Sequence, residues 1–200
     1  MRVHFGAPPS VFVHSTGWRK LAEPSPHRLA QGGLLLGLCL GAVVSGLWHL
    51  GGIHVSAQFA SVQGIAPLAV FLLSLVGLFA LHEAIHALLH PGQGASKLSV
   101  LGISLKPFLL YASYLGTLGR DRFAAILVAP FLLLSALPAT LFAAGFFRGE
   151  VSPLLAVLSV ANAAASGVDL LGVALLLSQV PRGAVLQNDG WQTFWRNGQA

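Results

Sequence analysis

His82, Glu83 and His86 form a His-Glu-x-x-His sequence, the pattern in this chain that points most directly to chemistry. Residues four apart lie on one face of an α-helix, so both imidazoles can bind one metal ion. Glu83 adjoins the first histidine, where a general base for a metal-activated water is needed. The alternative is a pair of core histidines with a paired glutamate. We favour catalysis because ionisable groups in apolar segments are costly and usually functional.

The segment around this motif is strongly apolar, and so is the rest of the chain. Of 200 residues, 55% are hydrophobic and 8% are charged, whereas soluble domains carry about 25% charged residues. This composition predicts a single all-α integral membrane domain over residues 1–200. The formal charge of +5 comes from basic residues beside apolar segments, which favours membrane anchoring over nucleic-acid binding. Cys39 is the single cysteine, which excludes an intrachain disulfide.

Four apolar segments are long enough to cross a bilayer, which requires about 20 residues. We place them at residues 32–50, 65–90, 122–147 and 152–178. Every Lys and Arg except Arg148 lies in the flanks before the first span, between the second and third, and after the fourth, counting Arg122 at the start of the third span. The positive-inside rule therefore predicts a multi-pass protein with both termini in the cytoplasm. Residues 1–31 and 179–200 are then cytoplasmic or interfacial tails, and Trp191, Phe194 and Trp195 follow at helix-like spacing in the second tail.

A zinc ion held by two imidazoles needs at least one further protein ligand. Asp169 is the one acid other than Glu83 in the four predicted spans, and its expected depth is close to that of His86. We therefore predict Zn²⁺ bound by His82, His86 and Asp169. His90 remains a rival third ligand, and a purely structural hydrogen-bonding role for Asp169 also remains open.

Two polar residues precede Asp169 on the same predicted helix. Asn162 and Ser166 lie seven and three residues before it, which places all three on one stripe of an otherwise apolar helix. Such a stripe must face protein. We expect Asn162 to be a catalytic residue that donates a hydrogen bond to the oxyanion that develops during peptide hydrolysis.

Three other patterns concern the scaffold. Residues 98–105 alternate in polarity around Gly102, which predicts a short β-hairpin-like segment after the second helix. Pro130 and Pro138 are expected to kink the third span. A third pattern is a stripe of glycines that allows close helix packing, either within this chain or with a second copy as a homo-oligomer: Gly33, Gly37 and Gly41.

A His-Glu-x-x-His at the cytoplasmic end of the second span of a short helical membrane protein resembles the putative zincin peptidase family. These are small bacterial integral-membrane metalloproteases, distantly similar to site-2 proteases. Further similarity lies in residues 17–24, in the Ala-Pro-Phe of the third span and in the Ser-Gly-Val-Asp of the fourth. The resemblance implies zinc bound by His82, His86 and Asp169, with Glu83 as the catalytic base.

The sequence therefore predicts a membrane-embedded zinc endopeptidase of the bacterial cell membrane. Its partners would be the lipid bilayer and a membrane protein or peptide, cleaved in or near the membrane. Two alternatives remain open: a metal-ion transporter and a non-catalytic zinc-binding membrane scaffold. Glu83 distinguishes the transporter from the protease, because hydrolysis needs a base that is not a ligand, whereas transit needs ligands only.

Overall fold

A computed structural model of the protein describes residues 1–10, 16–55, 64–106, 108–146 and 153–198. The described chain is mostly helical but also contains two small β-sheets, so the predicted all-α class is incomplete. Backbone packing divides the chain into two compact units. The helix unit comprises residues 26–82 and 130–171, and the sheet unit comprises residues 1–25, 83–129 and 172–200. The expectation of one membrane-embedded domain stays a prediction.

The helices follow the apolar segments. In chain order they are α1 (Pro26–Leu50), α2 (Ile65–Leu88), α3 (Arg120–Phe131), a π-helical turn (Leu132–Ala136), α4 (Leu137–Ala143), α5 (Pro153–Ala165) and α6 (Gly167–Gln179). Three of them run from one unit into the other: α2 after His82, α3 after Ala129 and α6 after Leu171.

Three helical stretches of the described chain are long and apolar enough to cross a membrane: His27–Leu50, Ile65–Leu88 and Arg120–Ala143. The α5–α6 pair, bent by 40°, makes a fourth if it counts as one span. The four predicted spans thus correspond to helices, although residues 147 and 152 lie outside the described chain. In the most apolar part of α2 only 11% of the residues are buried within the protein. A surface of this kind fits a membrane protein.

The third span changes its helical geometry between its two prolines. Proline has no backbone N–H, so the carbonyl four residues earlier loses its usual donor. Between Pro130 and Pro138 the helix widens into the π turn, in which the N–H of Leu137 donates to the carbonyl of Leu132. The predicted kinks therefore take the form of a wider turn, and Ser135 within it is fully buried.

The helix unit packs around the glycines of α1. A side chain at Gly33 would collide with Val168, and one at Gly37 would collide with the carbonyl of Ala164. Gly167 in turn lies against the carbonyl of Gly33. The glycine stripe therefore packs within this chain, on α5 and α6, and the homo-oligomer stays a prediction. The remaining core of this unit centres on Val44, Trp48, Val55, Ala139, Ala156, Val157 and Ala163.

The sheet unit contains the predicted hairpin. Strands β3 (Ser99–Leu105) and β4 (Phe108–Tyr114) pair antiparallel, and β1 (Arg2–Phe5) pairs parallel with β3. Gly102 lies inside β3, so the predicted β structure around it is confirmed. A glycine is needed at this position because the ring of Tyr111, its cross-strand partner, covers the site where a side chain would lie.

A second sheet joins the two tails of the chain. Its order is β2 (Arg19–Lys20), β7 (Gln192–Arg196), β6 (Val185–Asp189) and β5 (Leu118–Gly119). The C-terminal tail therefore forms strands and not the helix that the spacing of its aromatic residues suggested. Gly190, with φ of 59°, opens a tight turn between β6 and β7, and a positive φ at this position suits a hairpin. Phe194 is buried by this pairing, whereas Trp191 is exposed.

Candidate metal centre

The last two turns of α2 differ from the rest of that helix. Most of α2 exposes apolar side chains, but His82 and His86 are only 5% and 6% exposed. Glu83 lies between them in sequence and is half-buried. The buried end of α2 therefore carries the imidazoles, and the carboxylate beside them retains partial access.

His82 contacts two residues of the polar stripe on the fourth span. Its Nδ1 lies 2.8 Å from Oδ1 of Asn162, and its Nε2 lies 3.1 Å from Oδ2 of Asp169. All three residues belong to the helix unit. The structure thus brings together His82, Asn162 and Asp169, as the spacing along the two helices predicts.

The orientation of the Asn162 amide fixes the proton on His82. The Nδ2 group of Asn162 donates to the carbonyl of Pro130 at 3.1 Å and to Oγ of Ser135 at 2.8 Å. Ser135 donates its own proton to the carbonyl of Ser159 at 2.7 Å, so it accepts from the amide. The amide oxygen must then face His82, whose Nδ1 carries the hydrogen. Its Nε2 is left with a lone pair for a metal.

The Nδ1 atom of His86 also has a hydrogen-bond acceptor, but of a different kind. Its Nδ1 donates to the backbone carbonyl of Ile126 at 2.8 Å. This carbonyl lies four residues before Pro130, which has no N–H to offer it in return. The proline thus leaves an acceptor that holds the imidazole at Nδ1, so Nε2 is the ring atom that could bind a metal.

The three predicted metal ligands converge. One ligand atom from each of His82, His86 and Asp169 lies within 4.8 Å of the other two. In a tetrahedral site with bonds of about 2.0–2.1 Å, two ligand atoms are about 3.3 Å apart. The 3.1 Å between His82 and Asp169 is close to this value. Two imidazoles and one carboxylate form a donor set of the kind that catalytic zinc sites use, so these residues fit Zn²⁺.

A break in the fourth span positions Asp169. The hydroxyl of Ser166 donates to the carbonyl of Asn162 at 2.8 Å, at the point where α5 and α6 meet at 40°. Serine bonded back to the preceding turn favours such bends. Gly167 then packs against α1 without a side chain between them. Asp169 follows in the first turn of α6, with its side chain 22% exposed.

His90, the rival ligand, lies outside this group. Its Nδ1 contacts Oγ of Ser99 at 3.1 Å, and α2 has already ended at Leu88. Burial is the main cause that lowers the pKa of His90 to about 4, so His90 is neutral at physiological pH. Arg122 donates two hydrogen bonds to the carbonyl of Leu89, at 2.9 and 3.1 Å. Both residues therefore support the end of α2.

Asn162 does not have the contacts of an oxyanion donor. It is completely buried, and its amide hydrogens are bound to Pro130 and Ser135. The predicted catalytic role is therefore replaced by a positioning role through His82. Ser135 and the carbonyl of Ile126 were not identified from the sequence. The position of Pro130, four residues after Ile126, does indicate that the Ile126 carbonyl lacks its usual helical donor. A backbone carbonyl is present at every residue, however, so the sequence does not mark this one as the partner of His86.

Comparison with known proteins identifies a family for this chain. The model of a family described as putative zincin peptidase matches residues 75–185. The matched region contains all three ligand candidates, Glu83 and Asn162. No curated protein and no solved structure matches the chain.

Proposed function

The chain belongs to the putative zincin peptidase family, and from that premise we propose that it is a membrane-embedded zinc endopeptidase. Family membership indicates a metallopeptidase. Embedding in the bilayer is supported by the long apolar helices and by the exposed apolar side chains of α2. In the proposed topology both termini and the β3–β4 hairpin are cytoplasmic, as the distribution of basic residues favours.

The observation that carries the proposal is the pair of hydrogen bonds that orient the two imidazoles. His82 donates from Nδ1 to Asn162, and His86 donates from Nδ1 to the Ile126 carbonyl. Metal-binding histidines usually donate their second ring hydrogen to such an oxygen, which orients the ring and strengthens the ligand. A pair of core histidines would need no shared orientation, and it would not require Asp169 at ligand distance.

Zinc bound by His82, His86 and Asp169 would supply a Lewis acid that activates water and polarises the scissile carbonyl. Glu83 acts as the general base: its carboxylate accepts a proton from the attacking water and then passes that proton to the departing amine nitrogen. Glu83 is half-buried, so its carboxylate keeps the partial exposure that this role requires. Asn162 holds the His82 ring and does not contact substrate in this mechanism.

The proposed substrate is a peptide bond in or near the membrane, within a membrane protein or membrane-associated peptide. The ligands lie near the predicted cytoplasmic end of α2. An extended segment is required because a helical peptide bond is already hydrogen-bonded within its helix and is shielded from attack. Cleavage is therefore expected where a substrate helix unwinds close to the inner membrane surface.

The decisive experiment replaces Glu83 with Gln in the full-length protein reconstituted in liposomes with a single-span model substrate. We expect cleavage to fall by at least about 100-fold, because general-base catalysis contributes about 10²–10⁴-fold. Bound zinc should remain near one equivalent per chain. Glu23→Gln makes the same chemical change beside Thr193 and serves as the matched control, with cleavage retained. Full activity in Glu83→Gln would show that the assignment is wrong.

The same liposomes separate the two other functions. A transporter would move zinc across the bilayer in both the wild type and Glu83→Gln, because transit requires ligands and no base. A scaffold would bind zinc and show neither flux nor cleavage. Zinc flux without cleavage, or zinc binding without flux or cleavage, would reject the peptidase proposal if the protein is folded and metal-loaded. The metal centre would stand in both cases.

A further inference from the structure

A second pair of histidines lies in the helix unit, away from the centre described above. Nδ1 of His49 and Nδ1 of His54 are 3.0 Å apart, and the two rings meet edge to face. Both side chains are exposed. Two imidazole nitrogens that face each other at this distance either share a proton in a hydrogen bond or bind one metal ion.

The turn that brings these histidines together is a defined capping structure. The N–H of Ile53 donates to the carbonyl of Trp48 at 3.0 Å, and the N–H of Gly52 donates to the carbonyl of His49 at 2.9 Å. This double pattern, with Gly52 at φ of 95°, is a Schellman motif at the end of α1. The motif reverses the direction of the chain, so that His54, five residues after His49, lies beside it at the end of the helix.

The residues on either side of His54 are anchored. Ile53 packs against the core of the helix unit, and Val55 is 5% exposed within that core. Gly51 lies against the ring of Phe142, which also contacts Trp48. His54 is therefore held between two fixed residues while it is itself exposed. The histidine pair is preorganised, which reduces the entropy cost of binding an ion.

We propose that His49 and His54 form a second metal site, which takes a divalent transition metal of the imidazole-binding class. Adjacent ligands of a square-planar ion with bonds of about 2.0 Å are about 2.8 Å apart, and those of tetrahedral zinc are about 3.3 Å apart. The observed 3.0 Å lies between these values. Water completes the coordination, and the general affinity order places Cu²⁺ above Zn²⁺.

This site is separate from the first. Gly33 of α1 lies beside Val168, the neighbour of Asp169, and His49 is sixteen residues further along α1. At about 1.5 Å per residue, the two levels are about 24 Å apart. The metal that the second site holds is therefore independent of the peptidase chemistry, and the proposal stands whether or not the chain cleaves peptides.

The test titrates Cu²⁺ into the purified zinc-loaded full-length protein and records the electron paramagnetic resonance spectrum. The expected result is one additional equivalent of Cu²⁺ with nitrogen hyperfine structure from two imidazoles. His49→Ala and His54→Ala should each weaken this binding by at least about tenfold. His27→Ala replaces an exposed histidine near the start of α1 and should leave it unchanged.

A second variant pair tests the role of the turn with both histidines present. Gly52→Ala strains the positive φ of the capping residue and should weaken Cu²⁺ binding, whereas Gly46→Ala adds a methyl group in open space on the same helix and should not. Copper binding that survives both histidine substitutions would overturn the proposal. The same holds if His27→Ala reduces it equally.

Discussion

The helix unit and the sheet unit hold one histidine of the motif each, and they do so by different means. In the helix unit, a side chain orients His82: the amide of Asn162, itself fixed by the Pro130 carbonyl and Ser135. In the sheet unit, a backbone carbonyl orients His86, that of Ile126. A side-chain partner is lost by a single substitution, whereas a carbonyl survives any substitution that keeps the helix. The two imidazoles should therefore differ in their sensitivity to mutation.

The largest effect is expected where a ligand itself is removed. Asp169→Ala deletes the single carboxylate of the group, which leaves two imidazoles and no third ligand for zinc. Stoichiometric zinc should be lost, as measured by metal analysis of the purified protein. His90→Ala is the matched comparison, because His90 bonds to Ser99. It should keep one equivalent, and if it lost zinc while Asp169→Ala retained it, the ligand assignment would have to change.

The comparison of the two units is tested directly by their orienting residues. Asn162→Ala removes the acceptor of His82, and such losses next to a metal ligand typically weaken binding by about 10–100-fold. Ile126→Val leaves the acceptor of His86 in place and should change zinc affinity by less than about twofold. Competition with a fluorescent chelator measures both. Equal losses in the two variants would contradict the distinction between side-chain and backbone support.

Pro130→Ala should weaken even the backbone support. The new N–H competes with His86 for the Ile126 carbonyl, and a single hydrogen bond contributes about 0.5–1.5 kcal/mol. Zinc affinity should therefore fall by about twofold to tenfold. Pro138→Ala restores an N–H in the same span without reaching Ile126, so it provides the control. An unchanged zinc affinity in Pro130→Ala would mean that the Ile126 carbonyl accepts from both the new N–H and His86 without weakening the bond to His86.

A substitution in the close contact between the fourth span and α1 should lower the stability of the protein and change the chemistry of the metal site little. Gly167→Ala inserts a methyl group against the Gly33 carbonyl, and overpacking of this kind costs about 1–3 kcal/mol. Gly77→Ala on α2 has open space around it and should be close to neutral. Thermal unfolding in detergent, compared at equal zinc occupancy, measures the difference. A destabilised Gly77→Ala would show that the exposed face of α2 is covered.

The sequence alone determined the apolar segments, the helices that they form and the residues able to bind a metal. These follow from local composition and from the fixed spacing of side chains along a helix, which require no knowledge of the fold. The same reasoning placed Asn162 and Asp169 on one stripe. It did not assign Asn162 correctly, because the role of an amide depends on which partner each of its two ends meets.

Tertiary structure decided the remaining features. The strands of the two tails form only because β1 finds β3 and β2 finds β7, pairings that are remote in sequence. The glycines of α1 pack against α5 and α6, a contact that their spacing along one helix does not predict. The orientation of His86 depends on a backbone carbonyl freed by Pro130. Backbone groups are the same at every residue, so only their placement in three dimensions gives one of them a particular role.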